Sequence, residues 1–259
     1  MAGKDLQIIY GVHPVRELMT RRLQAVERIF VVRGRAGGTG EILRAARRAG
    51  IPVTNLSKEL LAKKIGARAA HQGIAAQVAP VAYADVDELC CRSARRPDGL
   101  LVLVDQVVDA GNLGAILRTC CAAGVDGVIL SSEGTAGLAP GVAKASAGAV
   151  ERLPVAREAR PAQLLEKLSK IGFQILALDA RGESSWDELD LTGPLVIVAG
   201  GEEKGLRPAV RRACGRRVAI PLAKKMDSLN VAVATGVLLF EAVRQRRGAE
   251  DGLETSETH

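Results

Sequence analysis

One local plan recurs three times in this chain and leaves few folds open. A continuous apolar run ends in a short polar loop, and the loop opens a helix. Leu100–Val104 runs into Asp105-Gln-Val-Val-Asp-Ala-Gly-Asn-Leu-Gly-Ala-Ile-Leu-Arg118. Leu195–Val198 runs into Ala199-Gly-Gly-Glu-Glu-Lys-Gly-Leu-Arg207. A third strand ends at Pro221 within Ile220-Pro-Leu-Ala-Lys-Lys-Met-Asp-Ser-Leu-Asn-Val-Ala-Val-Ala-Thr-Gly236. Uninterrupted apolar strands between helices imply a parallel sheet covered on both faces. The three loops then share the carboxyl edge of that sheet, where α/β proteins assemble composite sites. The third loop brings Ser228 and Asn230 to the first turn of a long apolar helix. Free backbone N–H groups and the helix dipole favour an anionic ligand group there.

The alternation extends along most of the chain. Strands are predicted at 100–104, 125–130, 152–155, 173–178, 195–199 and 217–221, and helices at 113–123, 140–146, 161–171, 207–213 and 229–246. Residues 7–79 form a smaller α/β unit. In it Pro14 starts a helix carrying Val15, Leu18 and Met19. Ile29–Val32 is a strand, and the helix Ile42–Ala49 is stopped by Gly50 and Pro52. The strand Val53–Leu56 follows, Ser57 caps a helix over Lys58–Ile65, and Ile74–Val78 is the last strand. Pro80, Pro97 and Gly99 punctuate a connector with a short helix at Asp85–Ser93. The acidic stretch 248–259 has few apolar residues and is expected to be disordered. The domain plan is therefore 1–80, a linker at 81–99, 100–247, and a tail at 248–259.

Composition narrows the class. The chain is 47% hydrophobic but only 2% aromatic, so its core is aliphatic. No apolar run approaches the roughly 20 residues of a membrane span. The start of the chain lacks a signal-peptide pattern, and a cytoplasmic location is expected. Cys90, Cys91, Cys120, Cys121 and Cys214 have no metal-ligand spacing, and His13, His71 and His259 do not cluster with them. No metal is expected, and the cysteines read as buried reduced thiols. The charge is lopsided. Residues 1–80 hold 14 Lys/Arg against 5 Asp/Glu, whereas the whole chain has a net charge of +7. The surplus lies entirely in the first part, as expected of a surface that meets a polyanion.

The loops fail the tests for commoner nucleotide sites. G-x-G-x-x-G and G-x-x-x-x-G-K-[ST] are both absent, which argues against a dehydrogenase. Asn112 fits a helix N-cap, and Ser228 and Asn230 fit capping roles too. Arg118 lies further along its helix, with Gly114 and Ala115 leaving room over the preceding turn. Glu202 follows two glycines that permit close backbone approach.

Taken together and in order, Asn112…Arg118, Gly200-Gly-Glu-Glu-Lys-Gly205 and Ile220-Pro…Ser228-Leu-Asn-Val231 resemble the three signature motifs of the SpoU family. These are trefoil-knotted (SPOUT), S-adenosylmethionine-dependent RNA ribose 2′-O-methyltransferases. The resemblance spans about 98–247 of the sequence. Gly11-Val-His-Pro-Val-Arg-Glu-Leu18 and His71-Gln-Gly-Ile74 resemble the substrate-binding domain of the ribosomal RNA branch, which is similar to ribosomal protein L30e. The implied fold is α/β, a parallel sheet with a C-terminal trefoil knot preceded by a small α/β L30e-like domain. The implied reaction is 2′-O-methylation of a ribose, of a guanosine in 23S rRNA, by a homodimer joined through its knotted domains. A tRNA substrate and a non-catalytic RNA-binding protein are the alternatives. By resemblance, Asn112, Arg118, Glu202, Ser228 and Asn230 are the catalytic candidates. Backbone near Gly200, Ile220 and Leu229 would hold S-adenosylmethionine, with no acidic ribose hook. Arg118 would stabilise a developing alkoxide or bind the adjacent phosphate, since a guanidinium keeps its proton. One departure stands out: the family's Asp-Pro is Asp109-Ala110 here, which loosens the turn without removing a reactive group.

Overall fold

The computed structural model describes residues 7–32, 38–66, 71–79, 82–223 and 226–256, with 250–256 given as backbone alone. Two sheets organise them. The first joins β1 (Gln7–Tyr10), β2 (Val26–Val32), β3 (Val53–Leu56) and β4 (Ile74–Val78) in the order β1-β4-β2-β3. Only the β2–β3 pairing is parallel. Helices α1 (Val12–Arg21), α2 (Gly40–Arg48) and α3 (Lys58–Ile65) cover it. Side chains alternate across a strand, and the cores follow that rule. Ile29, Ile74 and Ala76 face Val15, Leu18 and Ile42, while Phe30 and Ala75 face Leu61. Ser57 caps α3 as its sequence predicts, accepting from Leu60 N at 3.2 Å.

The second sheet is wholly parallel. Its strands are β5 (Leu100–Asp105), β6 (Gly127–Ser131), β7 (Val155–Glu158), β8 (Gln174–Leu178), β9 (Ser184–Ser185), β10 (Leu195–Gly200) and β11 (Arg216–Ala219). They run in the order β7-β6-β5-β10-β8-β11-β9. The remaining helices of the chain are α4 (Val86–Ala94), α5 (Ala110–Ala123), α6 (Pro140–Ala145), α7 (Pro161–Lys170), α8 (Pro208–Ala213) and α9 (Val231–Ser256). Every residue of β5 and β6 is buried, as the continuous apolar runs require. The register sets Gly200 of β10 beside Asp105 of β5. Two signature loops therefore start from adjacent points on one sheet edge. Among the described residues no helix is long and apolar enough to cross a membrane.

The compact units are Met1–Ala82 with Leu138–Glu151, and Tyr83–Gly137 with Arg152–His259. This grouping differs from the domain plan in two places. Residues 138–151, which carry α6, pack with the first unit: Ala143 touches its core, Gln7 Nε2 donates to Leu138 O at 3.2 Å, and Arg22 Nε lies 3.1 Å from Glu151. Most of the 81–99 stretch belongs with the second unit. Asp85 caps α4, accepting from Glu88 N at 2.8 Å, and Leu89 and Cys90 join the core beneath the parallel sheet. An amphipathic helix that buries Leu89 and Cys90 is part of a domain, not a linker. At the other end, α9 runs through 248–256, where disorder was expected; 257–259 lie outside the described residues.

The thiols are not uniformly buried. Cys90 and Cys120 are, whereas Cys91 is exposed and Cys121 and Cys214 are intermediate. Burial pushes the Cys90 and Cys214 thiols up to about 12.

Candidate active site

The first loop is locked by a residue other than the predicted one. Asp109, not Asn112, caps α5: its Oδ1 accepts from Asn112 N at 2.7 Å. The cap holds the turn that proline would otherwise stiffen, so Ala110 in that place is accommodated. Asn112 is thereby released from capping, and its side chain points elsewhere. Asn230 Nδ2 donates to Asn112 Oδ1 at 2.9 Å and to Glu202 Oε1 at 2.7 Å. The same Asn230 caps α9, its Oδ1 accepting from Ala232 N at 3.0 Å and Val233 N at 3.3 Å. Capping fixes which end of the amide is oxygen, and so fixes the two donors on Asn112 and Glu202. One residue from each of the three loops meets here, as their shared sheet edge predicts.

The loop that carries Glu202 is pinned at both ends. Gly205 N donates to Gly201 O at 2.8 Å. A Cβ at Gly201 would come within 2.0 Å of the Gln106 carbonyl oxygen, so only glycine fits. Gln106 itself has φ +63°, a left-handed conformation that costs a non-glycine residue energy and persists where its surroundings hold it. At the far end, the fully buried Asp105 carboxylate accepts from Arg207 N at 2.9 Å and Arg207 Nε at 2.8 Å. A buried carboxylate without a partner costs several kcal/mol, so this pair fixes the loop firmly. Neither Asp105 nor Arg207 stood out in the sequence. Asp105 reads there as the first residue of the loop after Leu100–Val104, whereas β5 extends to include it.

Beside this network lies a pocket of about 260 Å³, contained within the second unit. Gly200, Ile220 and Leu229, the predicted cofactor-binding residues, all line it. Leu178, Val218 and Leu222 add apolar wall, and Glu202 and Ser228 stand at its edge. A concave pocket that combines aliphatic walls with a few convergent polar groups is the form small-molecule sites take. Aliphatic walls suit a purine, and the polar groups suit the amino-acid part of S-adenosylmethionine. The residues present fit that cofactor. The loop 178–180 also lines the pocket and was not singled out from sequence, because Ala177-Leu-Asp-Ala180 carries no motif.

Two candidates stay outside the hydrogen-bonded group. Arg118 is exposed on α5 and makes no hydrogen bond or ion pair among the described residues. Ser228 lines the pocket, but its hydroxyl has no hydrogen-bond partner among them either. The Asn112–Asn230–Glu202 group is itself open to solvent. Among the described residues no cluster of His, Cys, Asp and Glu has the makings of a metal site.

Comparison with known proteins identifies the family. Residues 99–240 match the SpoU rRNA Methylase family, and residues 8–84 match the RNA 2′-O ribose methyltransferase substrate-binding family. The chain is 38% identical to the 23S rRNA (guanosine-2′-O-)-methyltransferase RlmB of Pseudomonas putida, over 94% of this chain and 98% of that one. It is also 38% identical to an uncharacterized tRNA/rRNA methyltransferase of Mycobacterium avium, over 95% of this chain and 79% of that one. In structure it resembles the SpoU methyltransferase AviRb from Streptomyces viridochromogenes in complex with AdoMet. That likeness has a TM-score of 0.79 and 28% identity, and covers 93% of this chain and 90% of AviRb. The dehydrogenase and non-catalytic readings fall away. The chain belongs to the SpoU rRNA methylase family and is an S-adenosylmethionine-dependent RNA ribose 2′-O-methyltransferase.

Proposed function

We propose that the protein methylates the 2′-oxygen of a guanosine in 23S rRNA, and that Asn112, Arg118, Glu202, Ser228 and Asn230 carry the reaction. The observation behind this reading is the three-loop junction at Asn230, set beside a pocket that fits the cofactor. The guanosine and the 23S rRNA are favoured by the similarity to the Pseudomonas putida enzyme, which extends over nearly the full length of both chains. An rRNA substrate places the reaction in the cytoplasm.

Bound in the pocket, S-adenosylmethionine supplies a methyl group on a sulfonium, an activated donor. The chain's own residues have two tasks: to orient the ribose hydroxyl and to manage its proton as the C–O bond forms. Glu202 uses Oε1 to accept from Asn230, which leaves Oε2 as an acceptor for that proton or for a bound donor. Asn112 is held through its Oδ1, which leaves its Nδ2 as a donor for the incoming nucleotide. Arg118 supplies a fixed positive charge for the developing alkoxide or the adjacent phosphate. Ser228 holds the nucleotide at the pocket edge.

The reading includes a homodimer joined through the second unit, with the strand ends around 200–231 threaded as a trefoil knot and an L30e-like fold in the first unit. Val233 and Phe240 are exposed on α9 with the half-buried Val237 between them, at the i, i+4 and i+7 spacing of a single helical face. Exposed Val108 and Met226 stand just ahead of α5 and α9. An apolar face of that kind needs a cover, and a second copy laid over it would also enclose Arg118, which has no partner among the described residues. RNA would bind the basic first unit, where α2 presents Arg44, Arg47 and Arg48 to solvent.

The test is a paired one. Calorimetry of the intact protein should show S-adenosylmethionine binding, and labelled methyl groups should pass to 23S rRNA in its presence. A folded protein that binds no cofactor at millimolar concentration, or that labels tRNA and leaves 23S rRNA untouched, contradicts the proposal.

A further inference from the structure

We propose that Asp179 binds the two ribose hydroxyls of S-adenosylmethionine, with Arg211 as the residue that positions its carboxylate. The inference rests on reading the pocket beside Asn230 as the cofactor pocket. It departs from the hold by backbone alone, with no acidic ribose hook, that the family resemblance implied, and gives the ribose a carboxylate that the sequence motifs do not contain.

Asp179 directly follows β8, and β8 lies between β10 and β11 in the sheet. It therefore stands at the carboxyl edge between the strand that carries Gly200 and the strand that leads to Ile220, and it lines the same pocket as both. Its side chain is 17% exposed, recessed but within reach of a ligand. Two donors fix its orientation. Arg181 N donates to Oδ1 at 3.0 Å, and Arg211 Nη2 donates to Oδ2. Arg217 Nη1 adds positive charge 3.9 Å from Oδ2. Each carboxylate oxygen accepts about two hydrogen bonds, so each retains capacity for one more donor.

The chemistry of the other charged groups in the pocket points to the same residue. Four line it: Asp179, Glu202, Lys204 and Arg211. Lys204 and Arg211 only donate, and cannot accept from a hydroxyl. Glu202 is bound by Asn230 at the junction of the three loops, which assigns it to the reacting end. Asp179 instead adjoins the aliphatic wall of Leu178, Val218, Ile220 and Leu222, the part suited to a purine. A purine seated against that wall would bring its sugar beside Asp179. Vicinal hydroxyls offer two donors side by side, and a carboxylate held at both oxygens offers two acceptors side by side. Hydrogen bonds to an ionised acceptor are roughly twice as strong as neutral ones, enough to discriminate a ribose from a deoxyribose.

The alternative is purely structural, with Asp179 merely tying β8 to α8 and β11 through Arg211 and Arg217. Calorimetry on the intact protein with three ligands separates the two. They are S-adenosylhomocysteine, 5′-methylthioadenosine, which lacks the amino-acid part, and the 2′,3′-dideoxy form of the latter. Asp179→Asn and Asp179→Ala should each weaken both ribose-bearing ligands by about tenfold or more, and leave the dideoxy ligand bound as in wild type. Arg211→Ala should show the same pattern in milder form, with Arg211→Lys partly restoring affinity. Equal weakening of all three ligands, no weakening of any, or a loss confined to S-adenosylhomocysteine would each overturn the proposal. Failure of the wild-type protein to bind S-adenosylhomocysteine would instead overturn the cofactor-pocket reading on which it rests.

Discussion

Asn230 donates its side-chain amide to Glu202 Oε1 at 2.7 Å, across 28 residues of chain. The same side chain caps α9 through its oxygen, so the start of the helix and the placement of the acidic group are one event. Whatever orders the loop before α9 therefore also sets Glu202.

Asn230→Asp separates these two roles. Aspartate caps a helix as well as asparagine, but it replaces a donor with a carboxylate facing Glu202 and the Asn112 oxygen. Thermal stability should stay within a few degrees of wild type, while methyl transfer falls on the order of a hundredfold. Turnover close to wild type, measured with labelled cofactor at saturation, would show that the junction is only a cap.

Arg118→Ala should leave stability within about 0.5 kcal/mol, because the side chain is exposed and has no partner among the described residues. Activity should drop a hundredfold or more, as when a preorganised charge is removed. Arg118→Lys should recover only part of it, since a point charge does not reproduce a bidentate fork. Full activity in the lysine variant would reduce the role of Arg118 to simple charge.

The Asp105–Arg207 pair makes an asymmetric forecast for stability. Arg207→Ala removes the countercharge of a fully buried carboxylate and leaves it only the backbone N–H of residue 207 as a donor there, and should cost about 3–5 kcal/mol in urea denaturation. Asp105→Asn keeps an acceptor, removes the buried charge and should cost less. Equal losses from the two variants would mean that the burial of Asp105 matters little.

Acid stability should depend on Glu241. Hydrogen bonds from Arg244, together with one from Gln245, hold its carboxyl down at about 2 against an ordinary value of 4.5. A carboxyl lowered on folding adds stability that is present above pH 4.5 and is lost as the pH falls toward 2. Glu241→Gln should therefore flatten the acid limb of the stability profile over that window, as read by circular dichroism. An unchanged slope between those pH values would contradict it.

Much of this was legible in the sequence, and the failures share a cause. Ser57 and the strand Val53–Leu56 are local features, and both appear where predicted. The meeting of the three loops follows from the parallel order of their strands. Roles that depend on a distant partner were not legible. Asn112 was expected to cap a helix because of its type and place, yet Asp109 takes the cap and frees Asn112 for a residue 118 positions away. Asp105 ends one apolar strand and Asp179 directly follows another, and only the register and the pocket give them neighbours. Residues 138–151 follow one strand of the parallel sheet and precede another, but their contacts lie with the first unit. No local pattern encodes that.

The central claim is that this chain places a methyl group on a ribose oxygen of 23S rRNA. Its most direct test is to incubate 23S rRNA lacking its natural modifications with protein and labelled S-adenosylmethionine, and then to hydrolyse it in alkali. A 2′-O-methyl group blocks cleavage, so the label should emerge in a single alkali-resistant dinucleotide whose first residue is guanosine. Label recovered on a free base, or in an alkali-sensitive mononucleotide, would contradict the account.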